Sequence, residues 1–297
     1  VYGVTEKLER SYGYCRYLHR EHGRTYYLAT TLLPAWKRRH VSALYGFSRY
    51  TDDIVDRPGG GGPAEREARL RIWTDRFTAA LDGAPATGPV LPAVLDTIRR
   101  FDLDRADFTA FLRSMAMDLT ITEYETYDDL LVYMAGSAAA IGTMMLPILG
   151  AADIERAREP ARQLGLAFQL TNFIRDIGED LDRGRIYLPL KDLVDFGVTP
   201  DDLHARRLTP PIRNLIAFEI SRAREHYAAA APGIPMLSPT SQACIRAAYL
   251  LYGAILTEVE RAGYDVFARR ATVPTRRRLA VAAASLLTRP GRPVSVG

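Results

Sequence analysis

The sequence predicts an all-α fold. Segments with β-strand alternation are almost absent, while apolar residues recur at helical spacing in one segment after another. Two of those segments also carry rows of oxygen-bearing side chains along a single helical face. At 297 residues the chain buries a sizeable core, and without repeats or low-complexity tracts residues 1–297 are expected to form a single domain. Apolar residues at 47% and charged residues at 25% place it with soluble globular proteins. The net charge of +4 is mild, and no basic pattern is interleaved with aromatics, so nucleic acid is not an expected partner. Two cysteines, Cys15 and Cys244, lie far apart without a CxxC pair, which suits a reducing compartment and excludes a disulfide framework or a zinc site. No signal-peptide pattern opens the chain, so a cytoplasmic location is expected; the start on Val1 points to trimming or to a lost initiator Met.

In chain order, residues 8–22 read as a helix with Tyr12, Cys15, Tyr17 and Leu18 as its bulk. Gly23 then breaks the pattern within HGRTYYLAT, where Arg24, Thr25 and Tyr26 offer a guanidinium, a hydroxyl and a ring. A guanidinium grips phosphate as a bidentate fork, although such a segment is more often a plain helix junction. Pro34 marks a turn before the helix 41–56. RPGGGGP, 57–63, is a loop rather than a phosphate cradle, since no strand precedes it and no GK[ST] follows. Helices are expected over 65–81, 90–101 and 107–117, with a second loop at 82–92.

The stretch 130–152 carries no formal charge and is long enough to suggest a membrane span. Its Ala, Gly, Ser137, Thr143 and Pro147 instead suit the wall of a buried cavity. Beyond the helix in 164–190, a loop with Gly197 and Pro200 leads to helices over 212–231, 241–262 and 276–287. Arg269, Arg270, Arg276, Arg277 and Arg278 form a basic cluster that reads first as a solvated face, with phosphate or anionic lipid as the alternative. The stretch RRLAVAAASLLTRP is too short and too charged to span a bilayer.

The functional signal lies in two stretches. In VSALYGFSRYTDDIVD, 41–56, Tyr45, Arg49, Asp52 and Asp56 fall within roughly 60° of a helical wheel, beside Val41, Leu44 and Ser48. In LGLAFQLTNFIRDIGEDLDRGRIYLPL, 164–190, Gln169, Asn172, Asp176 and Asp180 fall within about 80°, beside Leu166, Leu170, Phe173 and Ile177. An isolated ion is rarely taken out of water, so both stripes are expected to face one wet cavity. Carboxylates gathered that closely need cations between them. Mg²⁺ fits, because it takes one or two carboxylates per ion and keeps positions for water and substrate phosphates.

These residues resemble the squalene/phytoene synthase family. DDIVD at 52–56 is similar to its first DxxxD motif, and QLTNFIRDIGEDLDRGRIYLP at 169–189 to its second. MDLTITEYETYDDLLVYMAGSAAAIG at 117–142 and GYDVFARRATVP at 263–274 follow in family order, so the likeness covers nearly the whole chain. HGRTY and GSAAAIG are like the variants of bacterial phytoene synthases.

The resemblance implies an isoprenoid-synthase-like helical bundle around a central cavity, and a Mg²⁺-dependent prenyltransferase. Two geranylgeranyl diphosphates would join head to head through a cyclopropyl (prephytoene) diphosphate to give phytoene. It further implies two or three Mg²⁺ ions, with Mn²⁺ as a substitute, on Asp52, Asp56, Asn172, Asp176 and Asp180. Those carboxylates, Arg49 and Tyr133 would be catalytic. His22, Gly23, Arg24, Thr25, Tyr45, Arg49, Gln169, Arg175 and Tyr252 would meet the substrates, while Asp53 and Glu179 stay in supporting positions. For Tyr133 and Tyr252, core packing with a bonded hydroxyl remains the other reading.

Phytoene forms by proton loss, so NADPH is not expected. The apolar product suggests peripheral membrane contact and a downstream desaturase as partner. The alternatives are squalene or dehydrosqualene synthesis from two farnesyl diphosphates, a type-I terpene cyclase or chain-elongating enzyme on a related scaffold, and a non-enzymatic relative, which would have lost carboxylates that are all present here.

Overall fold

A computed structural model describes residues 2–56, 61–292 and 294, and among them every regular element is helical. Arg57–Gly60 of the expected glycine-rich loop, and Val1, lie outside the described residues. Helix α1 (Tyr2–His22) stops at Gly23, and α2 (Arg24–Thr30) follows at once. Gly23 is required here: a Cβ would stand 2.7 Å from the ring of Tyr45, so only glycine lets the junction close over that ring. Pro34 introduces α3 (Ala35–Asp56), which packs along α1.

Then come α4 (Pro63–Leu81), α5 (Leu91–Phe101) and α6 (Arg105–Met117). Pro63 opens α4, Pro92 sits in the first turn of α5, and Asp104 caps α6 by accepting from the Ala106 amide. Phe47, Phe77, Phe108 and Phe111 interlock at the centre of this half.

The uncharged stretch forms α7 (Tyr127–Met134), a π-helical turn at Ala135–Ala139, and α8 (Ala140–Leu149). Residues Tyr127–Leu149 are apolar enough to cross a membrane by length and composition, yet 56% of that window is buried within the protein. It is a wall of the core, as its small residues predict. At the entry to this wide turn the Tyr133 carbonyl accepts from both a backbone N–H and Ser114 Oγ, the latter at 2.8 Å. Glycines set how closely this wall approaches its neighbours. A Cβ at position 142 would stand 2.2 Å from the Ala161 carbonyl oxygen, and one at 136 would stand 2.2 Å from that of Ala110. Gly142→Val is therefore expected to destabilise the fold by roughly 2–4 kcal/mol, since a backbone atom cannot yield; a urea melt matching the wild type would refute the account.

The longest helix, α9 (Ile154–Asp182), carries the second acidic stripe and packs against α8 on one side. The segment after Pro189 departs from the expected loop, because it forms α10 (Leu190–Asp195) and α11 (Pro200–His204). The reason is local: Thr199 and Asp202 make a reciprocal capping box, with Pro200 at the first helical position. Helix α12 (Pro210–Ala230) covers the other side of α9 and ends in a 3₁₀ turn, Ala231–Met236. Finally α13 (Pro239–Arg261) crosses α2 and α9, and α14 (Thr275–Leu287) lies on α13.

Candidate active site

A cavity of about 310 Å³ lies between α1, α2, α3, α8, α9 and α13, and of the two stripes Tyr45, Asp52, Gln169 and Asn172 line it, whereas Asp56, Asp176 and Asp180 do not. On α3 its lining runs from Asp52 to Val41, and on α9 from Asn172 to Ala157. At 1.5 Å per residue those spans are about 16 and 22 Å, so the space is a long tunnel. Asp52, Asn172, Gln169, Ser48 and Tyr45 mark its polar end. Leu149, Ala157 and Leu237 lie at the apolar end, where the buried Lys37 ammonium ties α3 to the Leu149 carbonyl at 2.5 Å and to Ser238 and Ser241.

At the polar end the carboxylates divide into two kinds. Asp52 lines the cavity, and among the described residues no hydrogen bond or ion pair reaches it. Burial, then repulsion from Asp56, pushes its pKa up to about 7. Asp180 is buried against a small neighbouring recess, and burial with repulsion from Asp176 pushes it to about 7 as well. The Asn172 carboxamide oxygen is likewise buried and without a hydrogen-bond partner. Asp56 and Asp176, in contrast, are held by arginines. Arg185 meets Asp56 at 2.9 Å. Arg175 and Arg270 both grip Asp176 in two-bonded forks of 2.5–2.9 Å. Burial alone would raise the Asp176 pKa, but these bonds outweigh it and the net shift is downward.

These residues suit a divalent cation. They are hard oxygen donors, two of them carry pKa values raised by burial and then by a neighbouring carboxylate, and one amide oxygen lacks a hydrogen-bond partner among the described residues. The described residues gather no three-ligand cluster by themselves. That matches a cation whose remaining positions go to substrate phosphates and water.

Of the other expected residues, Tyr45 and Gln169 line the cavity, and Gly23 packs on Tyr45. The Tyr252 ring stacks on Tyr26 at 4.4 Å and leans on Phe168 at 4.6 Å, and its hydroxyl interacts with Arg175. Arg49 turns sideways to Asp53 at 2.5 Å, which gives Asp53 its supporting place, and Arg270 reaches Glu179 at 3.3 Å. Tyr133 is 3% exposed and donates to Asp118 at 2.7 Å.

His22 and Arg24 are exposed, and Thr25 does not reach the cavity. Helix α2 puts Tyr26, Ala29 and Thr30 on the cavity side, and Arg24 on the opposite side with Arg20, Thr275 and Arg278. Neither Cys15 nor Cys244 serves as a nucleophile, since both are buried and burial pushes both thiols up to about 12.

Sequence reasoning missed several participants. Tyr26, Phe168 and His19 line the cavity, and burial lowers the His19 pKa to about 4, so its ring, stacked on Tyr45 at 4.4 Å, is neutral. Asp118 accepts from both Tyr133 and Tyr187, and Arg185 spans the Asp118 carbonyl and Asp56. Both Asp118 and Arg185 lie inside the quoted motifs, MDLT and DRGRIYLP, which was the available signal. The basic cluster is only partly a solvated face. Arg270 belongs to the site and Arg277 pairs with Glu258 at 2.9 Å, because folding carries the segment after α13 back over the end of α9.

Known proteins are similar to this chain along most of its length. The family model described as Squalene/phytoene synthase matches residues 19–277. A phytoene synthase of Arthrospira platensis is 39% identical over 280 residues, 89% of each chain. A 15-cis-phytoene synthase of Synechococcus elongatus is 35% identical, covering 92% of this chain and 91% of its own. Among solved structures, a dehydrosqualene synthase in complex with ligand superposes with a TM-score of 0.87 at 27% identity, covering 95% of this chain and 97% of that one. With the family model spanning both acidic stripes, and relatives this similar along nearly their whole length, the chain belongs to the squalene/phytoene synthase family.

Proposed function

We propose that the whole chain is one catalytic domain that condenses two geranylgeranyl diphosphates head to head, through prephytoene diphosphate, into phytoene with release of diphosphate. One observation carries this reading: oxygen donors without partners, Asp52 and Asn172, stand at the mouth of a long apolar tunnel. The names of the relatives support the choice of a C20 substrate.

Asp52, Asp56, Asn172, Asp176 and Asp180 would hold divalent cations, Mg²⁺ or Mn²⁺, whose charge offsets that of a departing diphosphate. Arg175 and Arg270 sit beside that mouth with guanidiniums able to exchange Asp176 for a phosphate oxygen. The apolar wall keeps water from an allylic cation. The rings of Tyr26 and Phe168, which line the cavity and are backed by Tyr252, would face such a cation, each contributing about 0.5–2 kcal/mol. Tyr133, bonded to Asp118 and linked through Arg185 to Asp56, is placed to hold a proton next to the acidic end rather than to touch the hydrocarbon.

Ending by proton loss, this reaction uses no hydride donor, so NADPH is not required. The protein would work in the cytoplasm against a membrane that takes up its hydrocarbon product, with a desaturase as the next enzyme. The likeness to a dehydrosqualene synthase structure favours a second reading, condensation of two C15 diphosphates. Incubation with labelled C15 or C20 diphosphate and Mg²⁺, with and without NADPH, separates the two by product mass. A C40 hydrocarbon formed without NADPH is expected, and product from the C15 substrate alone would overturn the C20 reading.

A further inference from the structure

Helix α14 leaves an apolar stripe in solvent. Leu279, Leu286 and Leu287 are 57%, 60% and 86% exposed, and Ala280 and Ala283 are exposed beside them. At 100° per residue these five positions and Arg276 share an arc of roughly 120°. The opposite face is the packed one, where Ala282 and Ser285 are buried. The chain that carries the stripe has charge of one sign, although Glu21 of α1 shares a recess with Leu279 and Glu258 of α13 pairs with Arg277. After Asp265 the chain contains no acidic residue, and it contains seven arginines. Of these Arg270, Arg277 and Arg278 are engaged within the fold, whereas the side chains of Arg269, Arg276 and Arg289 have no ion-pair or hydrogen-bond partner among the described residues.

We propose that α14 docks the protein onto an anionic lipid bilayer, lying in the plane of the interface with its leucines in the acyl region and its free arginines among the headgroups. Its 13 residues rise about 20 Å, too short to span but long enough to lie flat. Charge decides between occupants. A second copy on this face would bring together two arginine-rich helices that carry no acid of their own, whereas an anionic membrane complements the arginines along the helix.

The position of the helix gives the contact a purpose, which rests on the hydrocarbon product proposed above. The chain beyond α14 is tied to α13, with the Gly291 amide donating to Gln242 Oε1 at 2.7 Å and Arg246 donating to the Arg292 carbonyl. From the same part of α13, Cys244, Ile245 and Ala248 line the cavity. The docked face thus lies one helix away from the tunnel's hydrocarbon-holding portion.

The test is sedimentation of the full chain, without substrate, with vesicles of phosphatidylcholine alone or mixed with phosphatidylglycerol. Wild type is expected to bind the mixed vesicles on the order of tenfold or more tightly than the neutral ones, with the difference falling as salt rises. L286E/L287E should lose about a hundredfold in binding to both. R276Q/R289Q should lose about tenfold on the mixed vesicles and little on the neutral ones. All these positions are outside the catalytic site, so circular dichroism, melting and turnover in detergent should match wild type.

Equal binding by wild type and L286E/L287E, or no binding by wild type, overturns the proposal. A wild-type dimer in sedimentation velocity that L286E/L287E dissolves, without vesicle binding, would make the stripe a contact between copies and overturn it too. Vesicle binding is indifferent to product length, so a C15 outcome in the product assay leaves this result standing on its own.

Discussion

Asp52→Asn is expected to lower turnover by about a thousandfold or more while leaving the helical fold intact. Among the described residues no hydrogen bond or ion pair reaches this carboxylate, which lines the cavity and is left to meet what enters it. Charge stabilisation aimed at a leaving group is the largest single contribution an enclosed site makes, with a single lost interaction costing roughly 10²–10³, and on the proposed reading a metal ligand goes with it. The same substitution should stabilise the metal-free protein. The pKa of Asp52 rises from an ordinary 3.8 to about 7 in the fold. A carboxyl raised in this way favours the folded state only while protonated, so stability is full below pH 3.8 and is lost as pH rises toward 7. Water in the cavity screens part of that cost, leaving an expected gain of roughly 1–3 kcal/mol for the variant at neutral pH.

Asp176→Asn should inactivate as severely but act on stability in the opposite direction. Its carboxyl is held below the ordinary value by Arg175 and Arg270, so it contributes stability above pH 3.8 that disappears in acid. Melts of the two variants at pH 5 and pH 8, beside turnover with Mg²⁺, check both signs. Full activity in either variant would remove that carboxylate from the assigned role.

The two acidic stripes were readable because helical spacing converts sequence directly into a shared face, and burying such a face is costly unless something wet lies opposite. Asp52, Gln169 and Asn172 followed from that rule alone. The cavity wall at 130–152 was readable for the same reason, as an uncharged run of small residues. The partners of the carboxylates were not. Arg270 reaches Asp176 across 94 positions, and no local period marks one arginine of a basic run as turned inward. Arg185 also looks like an ordinary polar residue past the end of α9 until the loop folds it between Asp56 and Asp118. For Arg24 the difficulty was direction. The motif names the residue, but the side it occupies depends on where α2 begins, one residue after Gly23. Tertiary placement, more than helix formation, is what lies beyond a single sequence.

Ala157→Phe is expected to separate the two substrate lengths, lowering kcat/KM for the C20 diphosphate by about a hundredfold or more while sparing the C15 substrate. Ala157 is the cavity residue of α9 farthest from Asn172, about 22 Å along the axis, and it is 1% exposed next to the closed end. A single missing or extra methylene in an apolar pocket shifts specificity by about 10–200-fold. A ring placed there would displace several carbons of the longer chain, and the wall cannot move outward, because Gly142 and Gly165 already bring α8 and the π-helical turn into backbone contact with α9. The shorter chain would end before reaching the ring. Equal losses for both substrates would mean that the ring distorts the whole helix pair, and no loss for either would mean that the chains end well short of Ala157; either result would remove the floor from the determination of product length. The expected split ties chain length to how far the apolar tunnel runs below Asp52 and Asn172, a distance set by the crossing of α8 and α9 and not by the acidic motifs at its polar end.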